Sequence, residues 1–166
     1  MGLLAQKQLV VDGKQLRGTV EAGRRQATVQ IVSVWAEEER LCLAQRQIAK
    51  KTNEIKAIPD LLSSVDIAGS VVSIDAIGCQ KSIAEGIIGQ RADYLIGLKA
   101  NQGSLYEQVA DWFERTKSSL QAHISRDLGY GRGEKRTVRV SENLDLIDAA
   151  VGWPGIGSIV YVESIR

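Results

Sequence analysis

One histidine, His123, is all this sequence has, and it falls in the polar tail of a helical pattern. With no second histidine to draw on, neither a Ser/His/Asp nor a Cys/His nucleophile arrangement can be assembled. Cysteine is nearly as scarce. Cys42 and Cys79 lie in apolar segments without a Cys-x-x-Cys spacing, the pattern of reduced core thiols in a cytoplasmic protein. No apolar run approaches the roughly 20 residues of a membrane-spanning helix, and no signal-peptide pattern opens the chain. Neither sign of charge is in excess: 21 Lys+Arg against 20 Asp+Glu give a net charge of +1, which names no partner. A nucleic-acid role would therefore rest on local basic patches. Internal repeats and low-complexity tracts are absent as well.

What is present is enough for a sizeable core, since 44% of the 166 residues are apolar. After a polar lead over residues 1–8, Leu9 to Asp12 reads as a strand and Gly13 to Arg25 as a turn with a Gly- and Arg-rich loop. Residues 27–36 alternate and are β-branched, and residues 41–49 return after the polar turn Glu37-Glu38-Glu39-Arg40, giving a three-strand meander. Thr52 or Asn53 caps a helix with Ile55, Ile58, Leu61, Leu62 and Val65 on one face, and Pro59 is expected to split off its leading turn. Then follow a strand from Val71 to Asp75, a helix over 80–90, a strand over 93–98 and a helix over 104–120. Helical crossovers make the later strands parallel, while the meander is antiparallel. The expected fold is α/β, a ribonuclease H-like mixed sheet with helices on both faces. Residues 121–136 are polar and Gly-rich, 135–140 alternate as a strand, and a last strand over 156–164 runs to the chain end, so a β-rich segment over 121–166 follows a core over 1–120. A strand ending at the terminus without a closing element leads us to expect a fragment.

The run Val71-Val72-Ser73-Ile74-Asp75 is organising. It reads as a buried strand ending in an acid, at the position where open α/β sheets place their chemistry. A buried acid is costly unless paired or metal-bound. Asp12 ends a similar run, and carboxylates on adjacent strands about 4.8 Å apart form a simple cradle for Mg²⁺ or Mn²⁺. Two plainer roles stay open: Asp12-Gly13 as a turn dipeptide, and Asp75 as a helix N-cap. Lys99, Asn101 and Gln102 follow the strand over 93–98 and can hold phosphate or base edges, or simply form a solvated turn. Arg17, Arg24 and Arg25, with Arg132, Lys135 and Arg136, are candidate phosphate contacts or a solvated face. Trp35, Trp112 and Trp153 are dispersed and read as core residues.

Several ordered motifs carry a family resemblance. Val11-Asp12-Gly13-Lys14-Gln15-Leu16-Arg17-Gly18 resembles the Asp-Gly-Lys-x-x-Arg-Gly segment of bacterial insertion-sequence transposases of the DDE class. Thr52-Asn53-Glu54-Ile55 with Ile58-Pro59, Ser73 to Gln80, Leu98-Lys99-Ala100-Asn101-Gln102-Gly103, Gly131 to Arg136 and Val162-Glu163-Ser164 are similar to the branch containing the H-repeat-associated proteins. The resemblance implies a ribonuclease H-like catalytic core in which Asp12 and Asp75 hold two Mg²⁺ ions for DNA strand cleavage and transfer. It adds Lys14 to the nucleic-acid contacts and implies transposon-end and target DNA as partners, with a homodimer as the acting form. Two departures stand out. The third acid of this branch belongs to a His-Trp-x-Ile-Glu-Asn helix downstream of Arg166, and the helical segment that precedes the core in relatives is missing. Tyr130 stands where relatives have His. Glu134 falls in a β-rich insertion and is the weaker candidate for third ligand. The expected function is thus a transposase catalytic-domain portion, inactive alone. The alternatives are a ribonuclease H-like nuclease using Glu134, and a non-catalytic remnant.

Overall fold

The computed structural model describes residues 6–16, 29–48, 54–129 and 132–166. Arg17, Arg24 and Arg25, the cap at Thr52 or Asn53, and Tyr130 lie outside them. The chain divides into two compact units after Asn101.

In the first unit, alternation of apolar and polar side chains decides which face of each strand turns inward. β1 (Gln8–Leu16), β2 (Val29–Ala36) and β3 (Leu41–Ile48) form the antiparallel meander. β4 (Val71–Ile74) and β5 (Asp93–Ile96) join on the other side of β1, each parallel to its neighbour. The sheet order β3-β2-β1-β4-β5 is the ribonuclease H-like arrangement. Leu9, Val11, Val32, Val34, Val72 and Ile74 point to one face, where they cluster with Ile58, Leu61 and Leu62 of α1 (Glu54–Ser63) and Ile83 and Ile87 of α2 (Lys81–Gly89). α1 runs unbroken through Pro59, so the helix is not split. The proline sits mid-helix and removes one i→i−4 hydrogen bond, and burial of Ile58, Leu61 and Leu62 outweighs that loss.

β1 differs from expectation. It does not turn at Gly13 but continues to Leu16, because β2 supplies antiparallel partners from Leu9 to Leu16.

The second unit holds α3 (Gly103–Thr116) and an antiparallel sheet of order β6-β7-β8, from Ala122–Gly129, Arg132–Ser141 and Ile159–Ile165. α3 falls within this unit. The buried Phe113 ring lies 5.3 Å from Tyr161 of β8, and Gln108 accepts a 2.9 Å hydrogen bond from the Ala149 N–H. β6 was not expected as a strand. Its described side chains are exposed, so no apolar alternation marks it, and backbone pairing with β7 alone makes it regular.

Leu9 has no exposed surface. Leu9→Ala should cost about 2–5 kcal/mol in urea denaturation. A loss below about 1 kcal/mol would contradict its place at the centre of the sheet.

Candidate functional site

β1 and β4 pair with Val10 opposite Ser73 and Val11 opposite Ile74. The next residues along each strand are Asp12 and Asp75. β4 stops at Ile74, so Asp75 stands at its carboxyl end while Asp12 stays in the sheet opposite Ser33 of β2. Gly13 pairs with Val32, which places the Asp-Gly dipeptide inside a strand and removes the turn role for Asp12. The capping role for Asp75 is real but smaller than expected. Its Oδ1 accepts the Ile77 N–H at 3.0 Å and caps a 3₁₀ turn, Ala76–Gly78, while α2 is capped by Gln80 without a side-chain bond. This bond orients the carboxylate and uses one of its two oxygens. Both acids are exposed, which corrects the reading of Asp75 as a buried acid: the strand end opens to solvent instead of into the core.

The pair sits in an open cleft of about 340 Å³ lined by Val10, Val11, Asp12, Trp35, Glu37, Ser73, Ile74 and Asp75. Trp35 is 40% exposed there and is not a core residue, whereas Trp153 is buried. The alternation of Val32, Val34 and Ala36 inward already implies that Trp35 faces the opposite side. Glu37 and Ser73, the other unforeseen lining residues, carry no distinctive sequence signal.

Asp75 is held from behind by the segment after β5. A Cβ on Gly97 would stand 3.1 Å from the Ala76 nitrogen and 3.4 Å from the Asp75 carbonyl carbon, so only glycine permits this approach without displacement. Asn101 Nδ2 donates a 2.7 Å bond to the Ala76 carbonyl. The Asn101 amide therefore serves the loop beside Asp75, whatever its remaining oxygen binds.

The other candidates are spread more widely. Lys14 is exposed on β1 two residues past Asp12, a spacing that puts it on the same strand face. Lys99 is exposed and Gln102 half-buried. Arg132 opens β7, its side chain being outside what is described. Glu134 on β7 is paired with Arg136 at 3.0 Å and with Arg166 at 3.5 Å, and the Arg136 guanidinium holds its carboxyl below the ordinary glutamate range. Arg136 is thus committed to an ion pair, though half of its side chain stays exposed.

Asp12 and Asp75 supply hard oxygen donors from neighbouring strands, suiting a cation that keeps several waters, such as Mg²⁺. Among the described residues, no three Asp, Glu, His or Cys side chains gather as a metal site. The donor set fits the ion, but with two ligands.

A family model described as "Transposase DDE domain" matches residues 5–147. A Xanthobacter autotrophicus protein described as "Uncharacterized protein in dhlA 3'region" is 38% identical, over 96% of this chain and 54% of its own length. The H repeat-associated protein YhhI of Escherichia coli (strain K12) is 35% identical, over 95% of this chain and 43% of its own. The chain thus spans about half the length of these curated relatives. The HTLV-2 integrase catalytic core domain in complex with magnesium aligns at 10% identity and a TM-score of 0.42, over 70% of this chain and 77% of that one.

Two outcomes follow from these contacts. Asn101→Ala should lower stability to urea by about 0.5–1.5 kcal/mol, the worth of one net hydrogen bond; no change would mean the Ala76 carbonyl is as well served by water. Glu134 should titrate below ordinary glutamates in a carbon-detected NMR pH series, and Arg136→Ala should raise its midpoint. Because the folded-state value is the lowered one, the pairing contributes above the unfolded-state value and is lost as pH falls through the folded one.

Proposed function

The chain belongs to the DDE transposases, in the branch that includes the H repeat-associated proteins, and from that membership we propose that Asp12 and Asp75 are its metal-binding catalytic acids. The observation that carries this reading is the parallel register of β1 and β4, which brings the two acids side by side at the head of one cleft. A bound Mg²⁺ or Mn²⁺ supplies charge stabilisation for an in-line phosphoryl displacement, the chemistry of DNA strand cleavage and transfer.

The chain's own residues prepare that chemistry. The Ile77 N–H fixes one oxygen of Asp75, which sets the direction of the other. Asp12 is fixed through the strand that carries it, opposite Ser33 of β2 and one residue past the last β4 partner at Val11. Lys14 and Lys99, both exposed, offer point charges to backbone phosphates, and Gln102 offers an amide. Arg17, Arg132 and Arg136 extend the proposed DNA contact along the chain. Asn101 adds its free acceptor capacity to its role at Ala76.

The partners under this proposal are transposon ends and target DNA, engaged by a homodimer in the cytoplasm. Among the described residues no helix is long and apolar enough to cross a membrane. The family resemblance implies a third acid for a two-ion centre, and among the described residues no third Asp, Glu, His or Cys gathers with this pair.

Titration of the chain with Mg²⁺, followed by amide NMR, tests the assignment. Shifts should cluster at residues 10–14 and 73–77, and Asp12→Asn or Asp75→Asn should weaken binding at least about tenfold, or 1.4 kcal/mol. Shifts elsewhere, or none, would sink it. Glu134→Gln should leave the titration unchanged; its loss would instead favour a ribonuclease H-like nuclease with Glu134 as third ligand.

A further inference from the structure

β1 presents alternate residues to its two faces. Val10 and Asp12 line the cleft, while Leu9 and Val11 are buried on the core side. The next core-side position is Gly13, which has no side chain to pack. Glu54, the first residue of α1, occupies that space: a Cβ built on Gly13 would stand 2.2 Å from its Oε1, 2.7 Å from its Cδ and 3.3 Å from its Oε2. Glu54 is only 6% exposed. The Glu54 side chain thus stands where a β1 side chain would otherwise stand, and glycine at position 13 is what leaves room for it.

The location explains the choice. Gly13 is the first residue of β1 past the level of Asp12, where parallel pairing with β4 has ended at Val11–Ile74. Glycine has the widest backbone freedom, and Asp-Gly is a dipeptide that readily turns. The most compliant point of β1 is thus the one adjoining Asp12. We propose that Glu54 is a positioning residue: seated against Gly13 from the core side, it holds β1 extended and so keeps Asp12 beside Asp75. The proposal rests on the reading of that pair as the cation site.

Hydrogen exchange and Mg²⁺ titration by NMR on the full 166-residue chain test it. In Glu54→Ala, amide exchange should accelerate about tenfold more at residues 12–14 than at residues 9–11, and the Mg²⁺ Kd should rise about tenfold. Glu54→Gln, which keeps the shape, should recover most of both. Glu54→Asp, which withdraws the carboxylate by one methylene, should reproduce the local pattern and serves if the alanine variant does not fold. A purely structural role would accelerate exchange evenly over all protected amides and leave Kd unchanged in the folded protein; that result overturns the proposal. A wild-type chain that shows no Mg²⁺ shifts overturns the cation reading instead, and localised exchange in Glu54→Ala would still establish that Glu54 fixes β1 at Asp12.

Discussion

The register between β1 and β4 is the constraint on which the rest depends. Leu9 and Val11 face the same core as Val72 and Ile74, and that shared burial aligns the two strands. Each of these side chains contributes about 1.5–3 kcal/mol by leaving water. A slip of one residue in either strand would turn its aliphatic set outward and drive its acid into the core. The packing that stabilises the first unit and the placement of the acids are therefore one choice, made by the same side chains.

Around that register, the two acids are secured by different means. Asp75 lies just past a strand end, where backbone would otherwise be loose, and three short-range features restrain it: its bond to the Ile77 N–H, the close approach of Gly97 and the Asn101 tie to Ala76. Asp12 is inside a strand and takes its position from Ser33 of β2, one residue past the end of the β4 pairing. Both glycines at this site serve proximity. Gly97 lets backbone meet backbone, and Gly13 lets a carboxylate meet a strand.

Much of this was legible in the residues, and the exceptions have physical causes. The β-branched runs and the single-face helices announced the strand and helix order of the first unit, and the acid closing Val71–Ile74 pointed to the strand-end position of Asp75. The continuation of β1 through Asp12-Gly13 was hidden, because a local turn preference is overridden by eight cross-strand partners that only the fold supplies. β6 was hidden for the opposite reason: exposed on every described side chain, it has no pattern to show. Trp35 reads as core by residue type alone, whereas its parity with the inward Val34 turns it to the opposite face. Glu54 stood in a recognised motif, yet its seat under Gly13 is a contact between an element start and a distant strand, which no spacing rule reports.

The unequal lengths of β1 and β4 have a mechanical meaning. Up to Val11, β1 is flanked by strands on both edges, whereas from Asp12 to Leu16 only β2 remains beside it among the described residues. A strand with one neighbour twists and bends more readily than one clamped between two. Asp12 thus marks the border between a stiff plate and a pliant tongue that carries Lys14. A displacement of the tongue therefore reaches the plate first at Asp12, the point where the second flanking strand is lost.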